Sequence, residues 1–166
     1  MRRLLWLAPA IFAAFLAHAA NAQNSTVHAD LPALNQEKQT IVFVCLHGSV
    51  NSQIAAAYFN RIAEERGLRF VAISRGIDVQ RTIPVRILDN LALEGLSPAN
   101  PPDELTSADA NCASAVVAFD PVPSEQKGDA KITYWRDVPI GIDDFQAARD
   151  AILPRIEQII SNLPGN

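Results

Sequence analysis

The spacing of apolar residues changes several times along this chain, and each change marks an element. "TIVFVC" (40–45) is an unbroken apolar, β-branched run, the pattern of a strand buried on both faces. From Ser52 the period lengthens. Ile54, Ala57, Tyr58, Ile62 and Ala63 form a stripe at helical spacing, flanked by Ala55 and Phe59, while Glu64, Glu65 and Arg66 lie toward the other side. Gly67-Leu68 predicts the end of that helix: a glycine cap followed by an apolar contact. "RFVAIS" (69–74) reads as a second strand, and "PVRILDNLALEGLS" (84–97) as a helix with the same Gly-Leu ending.

Further on, "NPPDELTSADANCAS" is a turn-rich entry to a short helix, followed by a third strand in "AVVAFD" (115–120) and a fourth in "KITYW" (131–135). Residues 143–163 predict a closing helix with Phe145, Ala148, Ile152, Ile156, Ile159 and Ile160 apolar, bent or interrupted at Pro154. Strands alternating with helices predict an α/β sandwich on a mostly parallel sheet. Ligands in such folds sit outside the carboxyl ends of the strands, where Cys45 is expected.

The first residues follow a different logic. Arg2 and Arg3, an apolar run from Leu4 to Ala17, and Ala20-Asn21-Ala22 have the layout of a signal peptide cut after Ala22. The run is too short to span a membrane. Residues 1–22 are therefore expected to be removed and residues 23–39 to form a polar, loosely held lead-in. Residues 40–166 then make one domain, exported to a periplasm or the outside. The net charge is −4, and two units more negative without Arg2 and Arg3. No basic stripe follows, which argues against nucleic acid as a partner. Nothing after the leader suggests a membrane partner or an oligomer, so a monomer is expected. His28 and His47 lack ligand spacing to any cysteine or carboxylate cluster, so neither a metal nor a cofactor is expected. Cys45 and Cys112 are too few for a disulfide framework.

The loop "LHGSVN" between Cys45 and the helix carries the chemistry. Backbone amides of Leu46, His47, Gly48, Ser49, Val50, Asn51 and Ser52, at or before the first helical turn, can point at an anion. The same amides and the helix dipole favour a thiolate at Cys45. Gly48 permits the positive φ of a loop curled around an oxyanion, and Ser52 can cap the helix or bond the sulfur. A buried cysteine ending an ordinary strand is the alternative.

These residues resemble the low-molecular-weight protein tyrosine phosphatases and the thioredoxin-coupled arsenate reductases that share their fold. In that family a strand of the type V-x-F-V-C leads into Cys, five residues, Arg, then Ser or Thr. Here Cys45 matches the nucleophile, Ser52 the hydroxyl, and Gln53 with Ala55-Ala56 resembles the opening of the family's first helix. The resemblance implies a four-stranded parallel sheet in the order 2-1-3-4. It also implies a phosphate-type oxyanion or a phosphorylated substrate as ligand.

The sequence departs from the family at Asn51, which stands in the arginine position. Asparagine brings no charge and no two-pronged grip on phosphate. Arg75, at the end of the second strand, is the preferred substitute for the missing charge, set against the favoured plainer reading of a surface arginine beside a glycine turn, and an arginine at position 51 is expected to tighten anion binding and raise turnover. The family's acid is a late-loop Asp, for which Asp137 in "YWRDVP" is the best candidate. Asp143 and Asp144 are more natural helix caps. Trp135 and Tyr134 are either pocket walls or core residues. The primary expectation is a phosphomonoesterase using Cys45 and Asp137, weak or inactive for want of the arginine. A non-catalytic oxyanion- or phosphoprotein-binding module is the first alternative. Arsenate reduction ranks lower, because it needs a cysteine relay that Cys112 is poorly placed to supply.

Overall fold

The computed structural model describes residues 38–164; the expected signal peptide and residues 23–37 of the lead-in lie outside them. Nine elements follow in order: β1 (Gln39–Cys45), α1 (Asn51–Glu65), β2 (Phe70–Gly76), α2 (Val85–Leu93), α3 (Ser107–Cys112), β3 (Ala115–Ala118), α4 (Ser124–Lys127), β4 (Ile132–Tyr134) and α5 (Phe145–Ser161). The strands form one parallel sheet in the order β2-β1-β3-β4. Gln39 belongs to the sheet rather than the lead-in: its N–H donates to the Arg69 carbonyl at 2.9 Å.

The apolar run of β1 divides by the two-residue period of a strand. Ile41, Phe43 and Cys45 face α1, α2 and α5, within the larger core. Val42 and Val44 face the other way, onto Leu105 and onto Ala110 of α3. Helices therefore cover both faces, which is why β1 is apolar from Ile41 to Cys45.

Both Gly-Leu endings close their helices as expected. Gly67 and Gly95 adopt φ of +64° and +70°. Leu68 and Leu96 then donate to the carbonyls of Ala63 and Leu91, each at 2.8 Å, satisfying groups the helix leaves open. Helix α2 ends at Leu93 with Glu94 as its C-cap, next to the expected Gly95. Helix α5 continues through Pro154 without interruption, contrary to one sequence expectation. One missing N–H in a helix anchored by Phe145, Ala148, Ile152, Ile156 and Ile160 is tolerated. Helix α4 was not anticipated, since four residues carry no readable period.

The register also separates the two thiols, both free. Ala115 pairs with Ile41 at the amino edge of the sheet, and Cys112 precedes it, whereas Cys45 ends β1 four residues beyond Ile41. That is a separation of roughly 13 Å along the strand.

Candidate oxyanion site

The site begins where β1 ends. Cys45 Sγ lies 2.9 Å from Ser52 Oγ, both buried. Between them the chain curls through Gly48 at φ +67°. A Cβ at Gly48 would stand 2.8 Å from the Gly76 nitrogen, so both the torsion and the close approach of β2 require glycine. The Gly48 carbonyl accepts Gln53 Nε2 at 3.1 Å and Ser74 Oγ at 3.0 Å. Ser74 Oγ also lies 2.8 Å from Ser52 Oγ, so β2 braces the loop and the sulfur together. Ser52 bonds the sulfur and does not cap α1, whose N-cap, Val50, has no side-chain bond.

Across the loop the donors have nowhere to go within the protein. Among the described residues, the backbone N–H groups of His47, Gly48, Ser49, Val50, Asn51, Ser52 and Gln53 find no acceptor. The Ser49 hydroxyl, 1% exposed, is also without a partner. A buried unsatisfied donor costs about 1–3 kcal/mol, and so many on one turn form a nest shaped for an anion. Leu46 is a correction to the expected set. Its N–H donates to Asp120 Oδ2 at 2.8 Å and is not available to a ligand.

Asn51 does not aim its side chain at the anion. Its Nδ2 donates to the Pro139 carbonyl at 3.0 Å, and its Oδ1 accepts the Gly141 N–H at 2.8 Å. The residue in the arginine position is thus a two-way clasp on the late loop, 6% exposed. Its backbone N–H remains among the open donors.

Two further expectations are corrected. Arg75 points away from the site, its Nε 3.1 Å from Asp109 Oδ2 on α3. Ser74 and Arg75 are neighbours on a strand, so their side chains take opposite faces; Ser74 has the face toward Cys45. Burial pushes the Asp109 carboxyl up, but hydrogen bonds from Arg75 and Thr106 outweigh it and hold the group below its usual range. Asp137 likewise turns outward, its Oδ2 2.5 Å from Arg155 Nη2 on α5 and its side chain 75% exposed. That guanidinium holds its carboxyl low. The cause is a turn in which Trp135 and Val138 bury themselves, leaving 136 and 137 to the surface. Asp144 caps α5 by accepting the Ala147 N–H, as expected. Trp135 is a core residue, with Phe43 and Phe119 ring centroids each 5.8 Å away, and Tyr134 is partly exposed.

A pocket of about 540 Å³ opens over the loop. Cys45, His47, Ser49 and Asn51 form its floor, and Phe119, Val138, Ile140 and Ile142 give it apolar walls. Among the described residues its one lining carboxylate is Asp120 and its one guanidinium is Arg136. His47 Nδ1 is occupied by the Asp78 carbonyl at 2.8 Å. A larger groove of about 610 Å³ near Arg81, Leu88 and Pro101 has no cysteine among its described lining residues. Sequence reasoning missed Asp120, Ser74 and Arg136. The first two follow rules already in use, since Asp120 lies just past β3 at the ligand edge and Ser74 shares the face of Cys45. Arg136 had no such signal, because its direction depends on the turn.

The profile of the family described as low molecular weight phosphotyrosine protein phosphatase matches residues 40–129. No curated protein sequence resembles the chain closely enough to count as a relative. Solved structures do. The protein YfkJ from Bacillus subtilis is 21% identical with a TM-score of 0.66, covering 76% of this chain and 95% of its own. A protein tyrosine phosphatase from Entamoeba histolytica, in a mimic of its product state, is 19% identical with a TM-score of 0.65, covering 78% and 97%. A thioredoxin-dependent arsenate reductase from Corynebacterium glutamicum is 21% identical with a TM-score of 0.60, covering 76% and 62%. At these identities the likeness establishes the fold.

Proposed function

This chain belongs to the low molecular weight phosphotyrosine protein phosphatase family, and from that premise we propose that it binds the phosphate group of a phosphorylated ligand over Cys45 and turns it over slowly. The observation that carries this reading is the nest itself, with a row of open amides and the buried, unpartnered Ser49 hydroxyl around one thiol. What limits turnover is what the pocket lacks. In the cysteine-dependent reaction the Cys45 sulfur would form a bond to phosphorus while the P–O bond to the leaving group breaks. The departing oxygen then needs a proton, and water must later free the cysteinyl-phosphate. Asp137, the expected donor, is engaged with Arg155 outside the pocket. No guanidinium extends from position 51 to offset the charge built up in the transition state.

The test uses the protein from Gln23 onward. Millimolar phosphate or vanadate should raise its melting temperature, and Cys45→Ser should retain that rise while abolishing any phenyl phosphate hydrolysis. Asp137→Ala should leave residual hydrolysis unchanged. A loss of about a hundredfold or more in Asp137→Ala, the size expected of a lost general acid, would overturn the binding reading in favour of a working phosphomonoesterase. That second reading is favoured by one observation: Asp137 sits between Arg136 and Val138, both of which line the pocket. Arsenate reduction has less support, since Cys112 lies at the opposite edge of the sheet from Cys45.

Export is part of the same proposal, supported by the leader-like pattern of residues 1–22. Mass spectrometry of protein recovered outside the cytoplasm should give Gln23 as the first residue; an intact Met1 would overturn cleavage.

A further inference from the structure

The arginines around the site are mostly committed. Arg75 is paired with Asp109, Arg155 with Asp137, and Arg149 with Glu94 and Asp150. Arg136 is different. It lines the Cys45 pocket and, among the described residues, has no carboxylate within ion-pair distance. Its guanidinium carbon instead rests 4.6 Å from the centre of the Tyr134 ring. A stacked guanidinium keeps its charge and its N–H edges free to donate. The loop that carries it is held against the nest from below, because Asn51 bonds both the Pro139 carbonyl and the Gly141 N–H. Gly141 fits so closely that a Cβ there would stand 2.4 Å from Ile54 Cδ1 and 3.1 Å from Asn51 Oδ1.

These observations fit together. The side chain at position 51 cannot both clasp the late loop and reach the ligand, and the clasped loop is the one that brings the Arg136 guanidinium to the pocket. We propose that Arg136 supplies the positive charge to the oxyanion bound over Cys45, and that Asn51 is the positioning residue that fixes the loop delivering it. The charge then comes from the pocket lining rather than from the nest. It neutralises the outward oxygens of a phosphomonoester while the amides of the nest hold the inner ones, and it offsets the Asp120 carboxylate, which faces the same pocket. This inference rests on the phosphate-binding reading above, and the ligand class is a phosphomonoester whose organic group lies between Arg136 and the apolar walls.

The test is calorimetric titration of phenyl phosphate and inorganic phosphate into the Cys45→Ser protein, alone and with Arg136→Ala, Arg136→Gln or Arg136→Lys, at low and moderate salt. Arg136 is exposed and stacks on the Tyr134 ring, so the variants should fold; melting temperatures without ligand check this. Arg136→Ala and Arg136→Gln should each weaken binding by about tenfold and flatten its salt dependence. Arg136→Lys should stay within a fewfold of the parent, as rescue by charge alone predicts. Arg81→Ala, outside this pocket, should change nothing. Unchanged affinity and salt dependence in Arg136→Ala, against a parent that binds, would overturn the role of Arg136 and leave the nest standing. A parent that binds neither ligand would overturn the nest and this inference together.

Discussion

Asn51 and Gly141 interlock: the Asn51 Oδ1 accepts the Gly141 N–H at 2.8 Å, and any side chain at 141 would press on that same oxygen. The pair ties the start of α1 to a loop that follows it by ninety positions. It decides what the unusual asparagine is for.

Placing arginine at position 51 should therefore not restore a phosphatase, as the sequence alone suggested. Asn51→Arg removes both bonds to the late loop and forces a longer side chain into a site that is 6% exposed. Denaturant unfolding should show a loss of about 2 kcal/mol, and phosphate affinity should fall because Arg136 loses its support. Tighter binding together with undiminished stability would show that the clasp is dispensable.

Gly48→Ala should harm the site more than its size suggests. The new methyl must occupy φ +67° and meet the Gly76 nitrogen at 2.8 Å, a backbone atom that cannot step aside. A cost of about 2 kcal/mol or more is expected, with loss of anion-induced stabilisation in a thermal shift assay.

The Arg75–Asp109 pair predicts a pH dependence. The Asp109 carboxyl is lowered in the folded protein, so its contribution is fully present above its unfolded value of about 3.9. That contribution is lost as pH falls through the lower folded value. Asp109→Asn should cost about 1–2 kcal/mol at neutral pH. It should also flatten the decline in urea midpoints on acidification below about pH 4. A variant as acid-sensitive as the parent would remove Asp109 from the account.

Cys45 and Cys112 should stay unbridged, even in an oxidising compartment. They flank opposite edges of the sheet, and the separation of roughly 13 Å from β1 pairing alone exceeds the span of about 7 Å that a disulfide allows. Peptide mapping under non-reducing conditions should recover two free thiols; a 45–112 bridge would contradict the strand order.

Much of this architecture was legible because it depends on short-range periodicity. β1 announced itself by an unbroken apolar run, α1 by a stripe whose members are all buried, and two helix ends by Gly-Leu. The cysteine loop was legible too, since Gly48 and Ser52 stand at fixed offsets from Cys45. Arg75 was misplaced through a readable error, because strand alternation gives Ser74 the inner face and sends its neighbour outward. The late loop was not legible. Whether Asp137 or Arg136 meets the pocket depends on a turn set by the burial of Trp135 and Val138, and on a clasp from Asn51, far earlier in the chain.

The three side chains behind the loop form a switchable row. Ser74 has one hydroxyl proton yet lies within bonding distance of both the Gly48 carbonyl and Ser52 Oγ; Ser52 likewise has one proton to share between Ser74 and Cys45 Sγ. Two settings are self-consistent. With a thiol, protons run outward: Cys45 to Ser52, Ser52 to Ser74, Ser74 to the Gly48 carbonyl. With a thiolate, they run inward: Ser74 to Ser52 and Ser52 to the sulfur, while Gly48 keeps Gln53 as its donor. Ionisation at Cys45 can thus be registered at Gly48, the residue about which the whole anion nest turns, by the rotation of two hydroxyls and no movement of a heavy atom.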